Sequence, residues 1–548
     1  MEGVESYLKE QAARYRKKGW WLGLTLSALF DRACDLYPDK DALVADGARC
    51  TFGELRARVE RVAKGFVDLG IGTGDRVLIQ LPNWPEFVVA YYALQKIGAV
   101  SVVLTPGHGF NEVQHLGALT DAVAWIVSSH YRSTAFDSMI GEVRRNSPQL
   151  KNVVVVGDHL AGGTVLFSSL ECGAAAVPDS AYFERFVFGP DDVCTILPTG
   201  GTTGFPKAVP RSHNSYIHNA EYLARAWELN SLDHCLIMTA VGHNLALITG
   251  VVGCVFSCAT MVLLDSSRPE DFCAVVERER VTCTALVPAL VSRVLAYPEA
   301  NQYDLSSLRM VYAGGQHSPA QLVRALKQKL GCQYVNGFGM SEGPVAQTRL
   351  NDPDEVIENT IGTPCCPYDE FGVLDAEGRC LGPGQEGELV VRGPGVFTGY
   401  FKAATENAKV FTPDGYFRSG DMARIDAQGR IAITGRIKDI IIRGGENISA
   451  VEVEQAVHFH PAVAAVSAVG MPDPELGERV CAYVRWKGEE GVTLAALGAF
   501  LTEKGVSKTL VPERLECVDE FPLTQAGKID KKVLREAICS KLESAAAG

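Results

Sequence analysis

Short apolar segments alternate with segments of helical periodicity through most of this chain, and this alternation restricts the fold more than any other feature. The segments are apolar at nearly every position rather than at every second one, which is typical of strands covered on both faces. Strands separated by helices form parallel sheets with the helices packed on them. The pattern therefore predicts an α/β fold. The clearest apolar segments are residues 77–80, 100–104, 153–156, 261–264, 284–287 and 310–312.

The character of the sequence changes after residue 362. Between residues 362 and 421, short strand-like segments are separated by glycine turns, which indicates a small β subdomain. The C-terminal region then follows the order helix, strand, strand, helix, over residues 450–459, 464–469, 482–486 and 494–504. With 548 residues, the chain is also longer than one core usually organises. We expect a large N-terminal domain of mostly parallel sheets over residues 1–436 and a small, mobile α+β domain over residues 437–548.

Residues 245–264 form an uncharged, mostly apolar segment that is long enough to cross a membrane. The segment has no basic flank, its character changes after Gly253, and its last five residues have the composition of a strand. We therefore predict a buried helix followed by a buried strand, and no membrane span.

Charge and cysteine usage restrict the partners and the compartment. The formal net charge of −13 argues against nucleic acid as the main partner, because neutralising phosphates needs a basic surface. The N-terminus shows no apolar signal segment, and the 16 cysteines show no repeated CxxC pairs. A cytoplasmic protein with reduced, mostly buried cysteines is expected. The pairs Cys254/Cys258 and Cys365/Cys366 have no partner pair at zinc spacing, so core packing is the better interpretation of both.

One loop carries the strongest local indication of chemistry. Residues 197–207 are rich in glycine and threonine, follow an apolar strand-like segment and end in Lys207. Glycines let backbone N–H groups face an anion, threonines add hydroxyl donors and lysine adds a positive charge, so the loop suits phosphates. It is not a Walker loop, because Pro206 precedes the lysine and Ala208 stands where a Mg²⁺-binding hydroxyl is needed. Taken alone, the loop could also be a plain surface turn.

Five further segments accompany this loop in a fixed order. They are residues 336–342 (NGFGMSE), 416–421 (YFRSGD), 435–439 (GRIKD), 443–448 (RGGENI) and 522–530 (PLTQAGKID). With these segments the chain resembles the adenylate-forming superfamily of acyl-CoA synthetases, adenylation domains and luciferases over essentially its whole length. The resemblance implies that a carboxylate attacks the α-phosphate of ATP, forms an acyl-AMP and is then transferred to a thiol.

The resemblance also implies a nucleotide and metal site. Thr199, Thr202, Thr203 and Lys207 would hold the β- and γ-phosphates, and Glu342 would bind Mg²⁺. Gly314, Gly315 and Phe338 would enclose the adenine, and Asn336 would bond its exocyclic amine. Asp421 would accept hydrogen bonds from the ribose hydroxyls and Arg436 would donate to them. The other expected members of the nucleotide site are Gly200, Gly201, Gly204, Gln316, Gly337, Gly339, Met340 and Ser341.

Lys528 is expected to be the main catalytic residue, supported by Lys207, Glu342 and His243. In this superfamily a lysine of the C-terminal domain bridges the carboxylate and the α-phosphate, and Lys528 takes its place in segment 522–530. Lys438 corresponds to the hinge about which that domain rotates, after which Gly444 and Gly445 would line the channel for the thiol. The alternative interpretation of Lys438 is a plain exposed charge.

The acid-binding side resembles the branch that activates aryl acids such as benzoate, salicylate and dihydroxybenzoate. His243 would lie beside the carboxylate and Asn244 would contact an ortho-hydroxyl, although a His-Asn pair can equally cap a helix. Thr249 keeps one hydroxyl where that branch usually has two serines. Gly337 stands where a branched aliphatic residue is usual, which would open space for a larger or non-planar ring. With Ala313 as a further lining residue, we expect a benzoate-like or alicyclic carboxylate, with catechol acids disfavoured.

The leading interpretation is a ligase that uses ATP and Mg²⁺ to make the acyl-AMP of a cyclic carboxylic acid and passes the acyl group to coenzyme A. The alternative is the same first half-reaction followed by transfer to the phosphopantetheine of a carrier protein. A catalytically silent nucleotide-binding protein and a luciferase-type oxygenase also stay open. The silent protein is disfavoured because Glu342, Asp421, Arg436 and Lys528 are all present. A homodimer is left open.

Overall fold

The computed structural model describes residues 1–5, 7, 9–132, 134–158, 162–171, 180–199, 206–315, 318–443, 446–474, 476–488, 491–504, 506, 508–524 and 528–547. The chain divides into two compact units. The first consists of Met1–Glu358, Gly362–Glu370 and Arg392–Phe417, and the second of Asn359–Ile361, Phe371–Val391 and Arg418–Gly548. The domain boundary at residue 436 stays a prediction.

The first unit contains a nine-stranded sheet in which the strands between the two edges are parallel. Antiparallel strands are added at both edges. The sheet order is Thr363–Pro364, Val345–Gln347, Gln333–Gly339, Met310–Gly314, Cys283–Leu286, His234–Ile237, Thr260–Leu263, Asp41–Ala45 and Ala48–Thr51.

A seven-stranded sheet in the same unit is parallel except for one antiparallel hairpin at its edge. Its order is Lys207–Ser212, Val193–Thr199, Val100–Leu104, Arg76–Gln80, Ala124–Ser128, Asn152–Val156 and Val165–Leu166. A two-stranded ribbon joins His130–Tyr131 to Thr134–Ala135. The central strands are apolar because helices cover both their faces, and the prediction of mostly parallel sheets is confirmed.

Helices separate most of these strands in the chain and pack on the sheets. The helices of the first unit are Lys9–Lys17, Leu26–Leu36, Phe52–Asp68, Pro85–Lys96, Phe110–Leu119, Asp137–Asn146, Phe167–Glu171, His213–Ala226, Pro269–Glu279, Pro288–Ala296, Ala320–Leu330, Asp354–Asn359 and Ala404–Val410, with 3₁₀ turns at Ser180–Arg185 and Pro298–Gln302.

The apolar segment 245–264 is a buried helical segment followed by a buried strand, as predicted. It runs through Asn244–Ala246, a π-helical turn at Leu247–Val252 and Gly253–Ser257 before the strand Thr260–Leu263. No helix within the described ranges is both long enough and apolar enough to cross a membrane. The π-helical turn was not predicted, because the sequence pattern of one wide turn does not differ from that of an α-helix.

The second unit contains the predicted β subdomain and the predicted α+β region. A four-stranded sheet has the order Glu370–Leu374, Glu386–Arg392, Phe417–Ile425 and Ile431–Arg436. A five-stranded sheet has the order Glu446–Ser449, Ile440–Arg443, Gly477–Trp486 and Val463–Asp473, with Arg514–Cys517 also paired to Gly477–Trp486. The helices are Ala450–His458, Leu494–Glu503 and Lys531–Ala547, with 3₁₀ turns at Ile437–Asp439 and Lys508–Leu510.

Candidate active site

The two strands that flank the predicted phosphate loop form the antiparallel hairpin of the seven-stranded sheet, in which Thr199 pairs with Lys207. Both ends of the loop are therefore fixed side by side, and both residues are half-buried. The predicted roles of several residues stay predictions, because those residues lie outside the described ranges. They are Gly200, Gly201, Thr202, Thr203, Gly204, Gln316, Gly444 and Gly445.

Lys207, Tyr400 and Glu342 form a connected chain in the first unit. The Lys207 ammonium is paired with Glu406 and lies 4.6 Å from the centre of the Tyr400 ring, a cation–π contact. The Tyr400 hydroxyl donates to Oε1 of Glu342 at 2.8 Å, and Glu342 is buried. The structure thus brings the predicted phosphate-binding lysine and the predicted metal ligand onto one aromatic ring. Carboxylate oxygens are the ligands that Mg²⁺ prefers, so Glu342 fits the expected metal.

A buried arginine fixes the backbone beside Glu342. Arg211 donates to the carbonyl oxygens of Ser341 at 2.9 Å and of Gly395 at 2.7 Å. Burial lowers the pKa of the Arg211 guanidinium from its usual value. Sequence reasoning missed Arg211, Tyr400 and Glu406. The one signal for the arginine is a charge in the short strand that follows the phosphate loop, after the apolar residues Ala208 and Val209.

The residues predicted for adenine lie at the end of two neighbouring parallel strands. Gly314 pairs with Gly337 across these strands, and Gly315 has a φ of +87°, a conformation that favours glycine. Asn336 Nδ2 donates to the carbonyl oxygen of Ile357 at 3.2 Å, so the amide oxygen points away from that carbonyl. An adenine amino group is a donor and requires such an oxygen. The same strand and the turn after it contain the predicted Phe338, Gly339, Met340 and Ser341.

On the predicted acid-binding side, His243 and Asn244 begin the helical segment. His243 Nδ1 accepts from the backbone N–H of Leu245 at 3.3 Å, so His243 caps the helix. The Asn244 amide accepts from the Tyr216 hydroxyl at 3.0 Å and donates to the carbonyl oxygen of Met340 at 3.3 Å. His243 thus caps the helix, and Asn244 is held in place by two partners. Their predicted roles beside the acid stay predictions.

Thr249 lies in the π-helical turn and is buried. Its hydroxyl donates to the carbonyl oxygen of Leu245 at 2.7 Å. Thr249 supplies the single hydroxyl expected where the aryl-acid branch usually has two serines. The proton of this hydroxyl is already donated to the backbone.

The space above Gly337 is filled by Tyr312. A Cβ atom on Gly337 would lie 2.1 Å from Cε2 and 2.2 Å from the hydroxyl oxygen of Tyr312, far inside van der Waals contact. A Cβ atom on Gly314 would lie 2.8 Å from Cε1 of the same ring. The expectation of open space at Gly337 is wrong. Ala313 is buried, and as the residue between Tyr312 and Gly314 it points to the other face of the strand.

In the second unit, Asp421 and Arg436 face each other across two antiparallel strands. Arg436 Nε donates to Asp421 Oδ1 at 2.8 Å. Asp421 is 2% exposed, and within the described part of the chain its Oδ2 has no hydrogen-bond partner. Burial raises the pKa of the Asp421 carboxyl. The positive charges of Arg436, Lys528 and Lys438 act in the opposite direction and lower it, but by less. A buried acceptor of this kind fits the predicted ribose diol, because buried polar atoms are normally paired.

The predicted hinge is attached to the last helix of the chain. Arg535 forms an ion pair with Asp439 at 2.7 Å and donates to the carbonyl oxygen of Lys438 at 3.2 Å. The Lys438 side chain itself is exposed. The backbone of the hinge is therefore anchored while its lysine faces solvent.

The backbone of the predicted catalytic lysine is paired with Thr524. The backbone N–H of Lys528 donates to Thr524 Oγ1 at 3.2 Å, and its carbonyl accepts from the Thr524 N–H at 2.7 Å. Next to this pair, Leu523 and Ile529 form a β-bridge. The Lys528 ammonium is close enough to Asp421 to oppose the rise in the pKa of that carboxyl.

Cys366 belongs to a buried cluster with His218 and Asp369, whose potential ligand atoms all lie within 4.8 Å of one another. His218 Nδ1 donates to the carbonyl oxygen of Trp20 at 2.8 Å, so the Cys366 thiol, 2.9 Å away, donates to Nε2. Burial lowers the pKa of His218 to about 4 and raises that of Asp369 to about 7. Cys365 and Cys366 are both buried, in line with the core packing expected of them.

Known families and proteins match the chain along almost its whole length. Residues 30–401 match the family described as AMP-binding enzyme, and residues 452–528 match the AMP-binding enzyme C-terminal domain. The chain is 38% identical over 546 residues to the 2,3-dihydroxybenzoate-AMP ligase of Bacillus subtilis, covering 99% of each protein.

The names of two further relatives include different acceptors, ArCP in one and CoA in the other. The chain is 38% identical over 542 residues to the salicyl-AMP ligase / salicyl-S-ArCP synthetase of Mycobacterium tuberculosis, covering 97% of this chain and 94% of the relative. It is 36% identical over 551 residues to a salicylyl-CoA synthase / salicylate adenylyltransferase of a Streptomyces species, covering 99% of each. The three names share an aromatic acid and its adenylate.

Proposed function

The chain belongs to the family of AMP-binding enzymes, and from that premise we propose that it converts a cyclic carboxylic acid to its acyl-AMP and passes the acyl group to the phosphopantetheine of a carrier protein. The observation that carries the proposal is 38% identity to an aryl acid-AMP ligase over 99% of the chain. The sequence alone favoured coenzyme A as the acceptor. The name of the salicyl-AMP ligase / salicyl-S-ArCP synthetase favours the carrier protein, which was the alternative.

In the first half-reaction, a carboxylate oxygen of the acid attacks the α-phosphorus of ATP. The bond between this phosphorus and the oxygen that bridges to the β-phosphate breaks, and pyrophosphate leaves. Lys528 neutralises charge as the two anions approach, and Lys207 neutralises charge on the departing phosphates. To bind the phosphates, Lys207 must give up its ion pair with Glu406 and pair with a phosphate oxygen instead. Tyr400 keeps the Glu342 carboxylate in place. Glu342 would hold Mg²⁺ there, and the ion would supply further positive charge at the phosphates.

The ribose is held by a complementary pair of groups. Asp421 Oδ2 accepts a hydrogen bond from one ribose hydroxyl. Arg436, which is paired with Asp421 Oδ1, donates a hydrogen bond to the diol. A ribose hydroxyl supplies the donor that the buried Oδ2 lacks among the described residues. Nucleotide binding thus removes an unfavourable unpaired buried acceptor.

In the second half-reaction, the thiol sulfur attacks the acyl carbonyl carbon, and the bond to the AMP oxygen breaks. Lys528 acts in the first half-reaction. A backbone rotation at Lys438 then moves Lys528 away from the substrates and brings in Gly444 and Gly445, which line the path of the thiol.

Coenzyme A is the second candidate acceptor. It is favoured by the 36% identity, over 99% of the chain, to a salicylyl-CoA synthase. Both acceptors present the same phosphopantetheine thiol, so the acid pocket and the ATP site are the same in either case.

The test is pyrophosphate release over a panel of acids, with coenzyme A, with a phosphopantetheinylated aryl carrier protein, or with neither. The panel contains benzoate, salicylate, 2,3-dihydroxybenzoate, cyclohexanecarboxylate and a short fatty acid. A single burst with an aryl acid that becomes continuous turnover only with the carrier protein is the expected result. Turnover that requires coenzyme A would select the second candidate. Activity with the fatty acid alone would contradict the proposed substrate class.

A further inference from the structure

Three buried side chains with metal-ligating atoms meet in the first unit. His218 lies on the helix His213–Ala226, whereas Cys366 and Asp369 lie just before the strand Glu370–Leu374. One potential ligand atom of each lies within 4.8 Å of the other two. In the part of the chain that the structure describes, no other three His, Cys, Asp or Glu side chains come this close. Sequence spacing could not indicate this group, because 148 residues separate His218 from Cys366.

The backbone orients His218 and Cys366 toward each other. Nδ1 of His218 donates to the carbonyl oxygen of Trp20 at 2.8 Å, so Nε2 presents its lone pair to Cys366 Sγ, 2.9 Å away. A metal-binding histidine typically donates its other ring nitrogen to a carbonyl in this way. The backbone N–H of Tyr368 donates to Cys366 Sγ at 3.3 Å, which supports the thiolate form that binds metals. Both atoms are thus already held as metal ligands are held.

Asp369 has a buried oxygen atom whose partner the protein does not supply. Its Oδ1 accepts from the backbone N–H of Gly395 at 3.1 Å. Its Oδ2 has no hydrogen-bond partner among the described residues, and Asp369 is only 5% exposed. Buried polar atoms are normally paired, so a carboxylate oxygen in this position requires a partner. A cation held beside the imidazole and the thiol would be that partner.

The charge and the chemical type of the three groups favour Zn²⁺. A thiolate and a carboxylate together carry two negative charges, which one divalent cation balances within the buried cluster. Thiolate and imidazole are ligands that Zn²⁺ prefers, whereas Mg²⁺ prefers oxygen. Arg211 adds a positive charge that acts on Asp369. The guanidinium of Arg211 is engaged by the carbonyl oxygens of Ser341 and Gly395. A divalent cation thus meets two anionic ligands against one nearby positive charge.

The separations of the ligand atoms are close to those of a tetrahedral zinc site. With metal–ligand distances of about 2.0–2.3 Å, neighbouring ligand atoms in such a site are about 3.3–3.6 Å apart. The 2.9 Å between His218 Nε2 and Cys366 Sγ would widen by about 0.6 Å as Zn²⁺ replaces the thiol proton. The widest separation in the cluster, at most 4.8 Å, would narrow by about 1.2 Å or less. Small side-chain rotations suffice for changes of this size.

We propose that His218 Nε2, Cys366 Sγ and a carboxylate oxygen of Asp369 bind Zn²⁺. The ion links the helix His213–Ala226 to the chain segment that carries the other two ligands. The thiol proton, and the Asp369 proton where one is bound, pass to the buffer as the metal bonds form. Three protein ligands leave the fourth tetrahedral position to water. The site includes neither Glu342, the expected Mg²⁺ ligand, nor any other residue assigned to the reaction, so it is independent of the proposed acyl transfer.

The central experiment measures the Zn²⁺ affinity of the full chain after removal of metal, in competition with a chromophoric chelator and without Mg²⁺. Cys366→Ala is expected to lower the affinity at least about 100-fold, because losing a ligand costs more than losing a group that orients one. Cys365→Ala is the matched control. Cys365 is the neighbouring cysteine and is also buried, but its Sγ accepts from Arg349 Nη1 at 3.9 Å and does not belong to the cluster. This variant is expected to keep the wild-type affinity.

Co²⁺ used in place of Zn²⁺ reports on the sulfur ligand directly. A thiolate bound to Co²⁺ gives a charge-transfer absorption in the near ultraviolet, which the wild type and Cys365→Ala are expected to show and Cys366→Ala to lack. Zn²⁺ is also expected to raise the melting temperature of the first two proteins and not that of the third, because an ion that binds the folded state stabilises it. If Cys366→Ala does not fold, His218→Gln gives the decisive affinity.

A wild-type protein that takes up no Zn²⁺ overturns the inference. An affinity that stays at the wild-type value in a folded variant at position 366 or 218 overturns it as well, since the ion would then be held elsewhere in the protein. An equal loss of affinity in Cys365→Ala and Cys366→Ala would indicate a general packing defect and remove Cys366 as a ligand.

Discussion

The acid side in the first unit and the ribose side in the second unit satisfy their polar groups in opposite ways. On the acid side, His243, Asn244 and Thr249 all have hydrogen-bond partners within the protein. On the ribose side, the buried Asp421 Oδ2 has no partner among the described residues, although Arg436 holds Oδ1. One side is complete without a ligand, and the other becomes complete only with one.

This difference indicates how each side discriminates between ligands. A site that leaves a buried acceptor unpaired rejects a ligand without the matching donor by a large factor, because the cost of the unpaired group remains. A site whose polar groups are already paired selects mainly by shape, which discriminates by ~1–3 kcal/mol for one methylene. We therefore expect strict recognition of the nucleotide and more tolerant recognition of the acid.

The largest expected effect on the reaction rate comes from removing the positive charge of Lys528, which acts on the acid and on ATP at the same time. Lys528→Ala is expected to lower the rate of acyl-AMP formation on the order of 100- to 1000-fold, since it removes electrostatic stabilisation of the transition state. Transfer from supplied acyl-AMP to the thiol should stay close to the wild-type rate. Both half-reactions are measured separately, by pyrophosphate release and by thioester formation.

Lys532→Ala is the matched control, because Lys532 lies one turn further on and is largely exposed. It should leave both rates unchanged. An equal loss of both half-reactions in Lys528→Ala would remove the assigned role.

The ribose side can be tested by keeping its shape and removing its charge. Asp421→Asn is expected to weaken ATP about 10- to 100-fold, mainly in KM, because a charge-assisted hydrogen bond is lost. The measurement is the ATP dependence of pyrophosphate release. Glu388→Gln is the control, since Glu388 is also a buried, arginine-paired carboxylate of the four-stranded sheet. If 2′,3′-dideoxy-ATP is used as well as ATP by the wild type, the ribose assignment is contradicted.

Tyr400→Phe tests the contact that holds the metal ligand. The ring remains over Lys207 while the hydrogen bond to Glu342 is lost, so we expect an increase of about tenfold or less in the Mg²⁺ concentration needed for half-maximal rate. The measurement is a Mg²⁺ titration at saturating ATP. An unchanged titration would mean that Glu342 keeps its position without Tyr400. Tyr416→Phe is a suitable control, because the Tyr416 hydroxyl also donates to a glutamate, Glu370, away from these residues.

The smallest effect is expected on the acid side. Asn244→Ala should change the preference for salicylate over benzoate by only about threefold, because both ends of the Asn244 amide already have protein partners. The measurement is the ratio of kcat/KM for the two acids. A change of a hundredfold or more would show that Asn244 recognises the hydroxyl directly, and the contrast between the two sides would then disappear.

The fold could be predicted from the sequence where local signals decide it. The buried helix and strand within residues 245–264 follow from composition and flanking residues, and the strand before Lys207 follows from its apolar run. The order of the motifs led to the family, which the comparisons confirm. Such signals lie within a few residues of the elements that they specify.

The missed features depend on contacts between distant parts of the chain. That Tyr312 covers Gly337 depends on the register between two strands, which no local pattern specifies. Arg211 reaches Ser341 and Gly395, which follow it by more than a hundred residues. The sequence could therefore place the candidate residues in order, but it could not show which of them were already paired.

The register of the hairpin around the phosphate loop has a consequence for how this sequence can vary. Thr199 faces Lys207, and the pairs below them continue without a shift from Pro198 with Ala208 to Thr195 with Arg211. A change of one residue in the pairing would turn Lys207 and Arg211 to the opposite face together, because side chains alternate along a strand. A single insertion or deletion in either flanking strand is thus expected to turn both cationic side chains away, whatever the sequence of the loop.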